Sequence, residues 1–117
     1  MVLINQARLN EVQEKYKEAE RLYQQALTKY EKELGLEHLD VASMLTSIAI
    51  FYENQKKYSE AEPLYQRVLK IREKQLGPDD LEVAKSLYNL ADIYEDQQKY
   101  DEAEPLYQRA LKIREKK

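Results

Sequence analysis

At 117 residues the chain is long enough for one domain and too short for two of ordinary size. Its 19 Lys and Arg against 22 Asp and Glu leave a net charge of -3, so no basic field draws nucleic acid or anionic lipid. The lack of cysteine removes disulfides, thiolate metal sites and thiol catalysis, and the only N-terminal apolar stretch, Met1 to Ile4, is far too short for a signal-peptide core or a membrane span. A soluble, cytoplasmic chain is expected.

Two glycines, three prolines and abundant Ala, Leu, Glu, Lys, Gln and Arg describe an all-α protein, because these residues lose least on entering a helix. The chain also repeats itself at an offset of 42 residues: Tyr16, Tyr58 and Tyr100 align, as do Ala19, Ala61 and Ala103, and Leu22, Leu64 and Leu106. Residues 54–75 match residues 96–117 at 17 of 22 positions, far beyond what shared composition gives. The units are 1–34, 35–76 and 77–117, each a pair of helices.

In chain order, the predicted helices are 1–13, 17–34, 39–55, 59–76, 81–97 and 101–117. Leu3, Ala7 and Glu11 in the first helix echo the corresponding helices of the later units. The second ends at Leu34-Gly35, where glycine permits a left-handed C-cap. His38, at the loop position matched by Asp80, is expected to cap the third helix, whose apolar positions are Val41, Ala42, Leu45, Ala49 and Tyr52. Ser59 with Glu62 predicts a capping box for the fourth, and Asp101 with Glu104 one for the sixth. Pro63 and Pro105 are expected in the first turns, where a missing N–H costs little. Leu76-Gly77-Pro78 stops the fourth helix, and Asp80 or Glu82 starts the fifth, with Val83, Leu87, Leu90, Ala91 and Tyr94 along one stripe. A long coiled coil is disfavoured, since the stripe breaks at both glycines and changes phase at each tyrosine turn.

Helix pairs with Ala49 and Ala91 at the close-contact position, Ala61 and Ala103 in the second helix and tyrosines at the turn resemble the tetratricopeptide repeat. The usual repeat is about 34 residues. The eight extra residues, with Tyr65-Gln66-Arg67 leading to Leu76-Gly77-Pro78-Asp79-Asp80, look like the longer repeats of kinesin light chains and their bacterial relatives. The resemblance spans nearly the whole chain and implies a right-handed superhelical solenoid of three helix-turn-helix units, six helices in all. The chain departs from the family where Leu39 and Leu81 replace a frequent proline, and where Lys56 and Gln98 replace a frequent glycine, so relaxed turns are expected there.

In that family the first helix of each pair lines a concave groove. The resemblance places this lining at Ile4, Arg8, Glu11 and Val12, then Ser43, Thr46, Ile50, Glu53 and Asn54, then Lys85, Tyr88, Asn89, Asp92, Glu95 and Asp96. Arg8 and Lys85 against five carboxylates make the lining net acidic, which favours a basic or mixed-charge peptide or protein, with Tyr88 and Ile50 offering apolar contact. A carboxylate clamp is disfavoured, because Lys85 alone matches its cations, and an acidic tryptophan-bearing peptide would be repelled. Catalysis is not expected: one histidine and no cysteine build neither a nucleophile pair nor a His-rich metal site, there is no glycine-rich phosphate loop, and no cofactor is implied. The second reading is structural. With no evident cap before the first unit or after Leu106, Ala110 and Ile113, the ends suggest head-to-tail stacking, terminal helix exchange, or an engineered or excised piece of a longer array.

Overall fold

The computed structural model describes residues 16–116, so the predicted helix 1–13 lies outside the described residues. The alanine and leucine columns form five helices there, with no strand among the described residues: α1 (Tyr16–Leu34), α2 (Leu39–Asn54), α3 (Tyr58–Leu76), α4 (Leu81–Asp96) and α5 (Tyr100–Lys116). Each packs against its neighbours in sequence, in a flattened body of 41 × 34 × 19 Å.

The alanines sit where backbones approach closely: Ala19, Ala49, Ala61 and Ala91 have no exposed surface and Ala103 almost none. Around them Leu45, Ile48, Phe51, Val68 and Ile71 form one core that α4 joins through Leu90 and Ile93. A smaller second cluster, Val83, Ala84, Leu87, Ala110 and Ile113, ties α4 to α5. Leu69 and Leu106 pack against both, so the apolar interior runs without a break along the stack.

Two predicted caps form. The backbone N–H of Asp40 donates to His38 Nδ1 at 3.0 Å, and that of Glu82 to Asp80 Oδ1 at 2.8 Å. Gly35 and Gly77 both have positive φ, 95° and 89°. At Gly77, ψ is 157°, so the chain leaves α3 through a region essentially reserved for glycine rather than through a left-handed helical cap.

Three expectations are corrected. Lys56 and Gln98 do not relax their turns: φ is 61° and 63°, and the N–H of Lys57 reaches the Tyr52 carbonyl at 2.9 Å while that of Lys56 reaches Glu53 at 2.9 Å. This is the Schellman pattern, closed by a lysine where glycine is usual. Ser59 and Asp101 do not cap. Lys57 is both the last residue of the Schellman turn and the N-cap of α3, its carbonyl accepting from Ala61 N–H at 3.1 Å without a side-chain cap, and Lys99 does the same before α5. Because α3 and α5 start earlier than predicted, Pro63 and Pro105 stand beyond the first turn, inside the helices. Each removes one helical hydrogen bond, from the carbonyls of Ser59 and Asp101, and both of those residues are exposed to water that can replace it.

Candidate partner-binding face

Helical spacing along α2 sets Ser43, Ile50 and Asn54 at the surface, and along α4 it sets Lys85, Asp92, Glu95 and Asp96 there. Thr46, Glu53, Tyr88 and Asn89 are half-buried between these and the core. Ile4, Arg8, Glu11 and Val12 lie outside the described residues.

Three of the half-buried members, Thr46, Glu53 and Tyr88, are committed to internal contacts. Thr46 donates its hydroxyl to the Ala42 carbonyl at 2.9 Å, and Glu53 accepts from the Tyr65 hydroxyl at 2.7 Å. Tyr88 is turned toward α5: its ring lies 5.7 Å from that of Tyr107, the Arg114 guanidinium sits 5.6 Å from its centroid, and Arg114 donates to its hydroxyl at 3.3 Å. Much of the apolar contact expected of Tyr88 is therefore spent within the chain, and Ile50, 45% exposed, is the larger apolar surface on the face.

The acidic members gather. Asp92 accepts a hydrogen bond from the Tyr107 hydroxyl, and Glu95 and Asp96 lie close enough to act on the same group. Burial above all, then the bond to Asp92 and the charges of Glu95 and Asp96, push the Tyr107 hydroxyl well above the ordinary tyrosine value. Tyr65 is raised in the same way, first by burial, then by Glu53, with a further push from Asp92. The cation of the face, Lys85, leans toward Glu82 at 3.9 Å. Lys85 against Glu53, Asp92, Glu95 and Asp96 leaves the described part of the face net acidic by three.

Tyr65, Tyr107 and Arg114, absent from the predicted lining, fix Glu53, Asp92 and Tyr88. The signal available was the need of a buried tyrosine hydroxyl for a partner. Also unforeseen is an open cleft of about 760 Å³ bounded by Leu34, Leu36, Ile71, Arg67 and Lys70. Leu36 stands where the next unit has Pro78, and that departure from the repeat was its trace in the sequence. Among the described residues no group of three or more His, Asp or Glu side chains is placed to hold a metal, and no helix is long and apolar enough to cross a membrane.

No curated protein matches the chain. Among solved structures, BtubC (BKLC) from P. vanneervenii, a kinesin light chain-like repeat protein, superposes with a TM-score of 0.81 at 25% identity over 95% of this chain. The match takes in 44% of BtubC, so the chain spans less than half the length of that relative. The tetratricopeptide repeat profile matches residues 1–74 and again 40–116. With helix pairs and buried alanine columns among the described residues and the profile matching 1–74 and 40–116, the chain belongs to the tetratricopeptide repeat family.

Proposed function

We propose that the chain is a non-enzymatic binding module or scaffold whose α2–α4 face, the concave side of a right-handed three-unit solenoid, holds a basic or mixed-charge segment of a partner protein in the cytoplasm. Repeats of this family generally mediate protein–protein interaction. The observation that carries the finer reading is the exposed set Asp92, Glu95 and Asp96. Asp92 and Asp96 replace Ile50 and Asn54 of the preceding unit, so stacking alone does not demand their charge. Cationic side chains at an exposed acidic rim gain on-rate and register more than raw affinity, and Ile50 supplies the apolar contact that charge lacks.

Fluorescence anisotropy with a panel of Lys- and Arg-rich peptides tests this. Binding should weaken as salt rises from about 50 to about 500 mM, where screening becomes strong. The triple variant Asp92→Asn, Glu95→Gln, Asp96→Asn should bind about tenfold more weakly or worse, at under about 1 kcal/mol per exposed pair. Equal binding by wild type and variant removes the face from the account.

A further inference from the structure

The cleft between the α1–α2 loop and α3 departs from the repeat in the residues it shows to solvent. Leu34, Leu36 and Ile71 line it together with Arg67, Lys70 and His38. Leu36 is 62% exposed, more than any other large apolar side chain among the described residues. The loop that carries it has the same backbone pattern in both units: the His38 N–H reaches the Gly35 carbonyl at 3.4 Å, and the Asp80 N–H reaches that of Gly77 at 3.4 Å. Pro78 holds the place of Leu36 in the second loop and is exposed too, although α1 and α2 precede it and α4 and α5 follow. Stacking therefore neither requires a leucine at this position nor covers it.

Charge departs in the same place. Arg109 and Lys112 repeat Arg67 and Lys70, but the loop offers Asp79 and Asp80 to the later pair and only Glu37, followed by His38, to the earlier one. Glu37 is already held by Lys74 at 2.6 Å, and Arg67 pairs with Glu31 at 2.5 Å. Lys70 is exposed and faces no carboxylate among the described residues. Because His38 Nδ1 accepts from the Asp40 N–H, the neutral ring carries its proton on Nε2, a donor with no acceptor among the described residues.

We infer that this cleft docks an acidic segment of a partner protein, with a leucine or phenylalanine of that segment against Leu34, Leu36 and Ile71 and a neighbouring carboxylate on Lys70 and His38 Nε2. An apolar patch rimmed by polar groups is the ordinary form of a protein contact, and the sign of the rim selects the partner. A basic segment of the kind suited to Asp92, Glu95 and Asp96 would meet Arg67 and Lys70 and be repelled. The chain thus presents two faces of opposite preference. An open cleft takes one anchor and one charge, so the contact is weak and sensitive to salt.

Fluorescence anisotropy of a short labelled peptide with one leucine between glutamates, titrated with the full chain to about 1 mM, tests this. The peptide should bind at least about tenfold more tightly than matched peptides with glutamine for glutamate or alanine for leucine. Leu36→Pro with His38→Asp installs the residues of the next unit in a loop of the same hydrogen-bond pattern, and Lys70→Glu changes an exposed position; circular dichroism verifies that both fold. Each should weaken binding at least about tenfold, whereas the triple variant at Asp92, Glu95 and Asp96 should bind no more weakly than wild type. Amide chemical shifts should move on binding within 34–38 and 67–75 and hold along α4. Absence of binding at about 1 mM overturns the inference, as do undiminished binding by the Leu36→Pro, His38→Asp chain and shifts confined to α4. Self-association of the wild type that Leu36→Pro abolishes overturns it as well, since a second copy would then fill the cleft.

Discussion

Lys56 and Gln98 hold the left-handed conformation that the Schellman turn requires, at φ of 61° and 63°. A side chain with Cβ costs roughly 1–2 kcal/mol there, and glycine returns part of that gain as unfolded-state entropy. Lys56→Gly and Gln98→Gly should each stabilise the fold by about 0.5–1 kcal/mol, read as a rise of a few degrees in the thermal midpoint. Tyrosine makes the opposite point. Tyr65 is 2% exposed and bonded to Glu53, so Tyr65→Phe leaves a half-buried carboxylate short of a donor and should cost about 1.5–2 kcal/mol in urea unfolding. The same hydroxyls set the alkaline limit. Burial first, then the bond to Glu20, pushes Tyr52 from 10.0 up to about 12, and Tyr65 and Tyr107 shift in the same direction. A raised folded value favours the neutral form, so this contribution is full below pH 10.0 and is lost as pH climbs toward about 12. Helical circular dichroism should fall across that window in step with phenolate absorbance, and Tyr52→Phe should make the fall shallower. Phenolate forming well before helix is lost would refute the linkage.

Helix punctuation was largely legible because it is local chemistry. His38 and Asp80 announce their helices by a side chain that accepts a nearby N–H, and Gly35 and Gly77 announce ends by a φ that other residues avoid. The starts of α3 and α5 were misjudged for an equally physical reason. A three-residue connection forces Lys57 to end one motif and begin the next, so the good capping residue Ser59 falls inside the helix. The candidate face was drawn from the family resemblance, and helical spacing made its exposed members, Ile50, Asp92, Glu95 and Asp96 among them, legible. Its internal commitments were not, because whether Tyr107 meets Asp92 or Glu95 depends on how two helices rotate as they pack. The caps themselves make a prediction for single elements. Asp80→Ala should cost about 1 kcal/mol, while His38→Asp, which adds a full negative charge at the helix N-terminus, should gain about 0.5 kcal/mol. Chemical denaturation of the two variants checks both signs.

Across the whole molecule, a repeat stack is stabilised by nearest-neighbour interfaces, and these are unequal here. α3 lies between α2 and α4 and shares the larger core, whereas α5 packs mainly on α4 through the smaller cluster of Val83, Ala84, Leu87, Ala110 and Ile113 and reaches α3 through the pair of Arg109 with Glu73. Opening α5 exposes that cluster with Ala103 and Leu106 and breaks the partly buried pair of Arg109 with Glu73 and the exposed pair of Lys116 with Asp79 at 3.2 Å, the latter worth under about 1 kcal/mol. Opening α3 disrupts both flanking interfaces and approaches the cost of global unfolding. Native-state hydrogen exchange at low micromolar concentration should therefore find α5 amides exchanging at least about tenfold faster than those of α3, a difference of about 1.4 kcal/mol or more. Equal protection would mean that the chain unfolds as one cooperative unit and that the second cluster couples as tightly as the first.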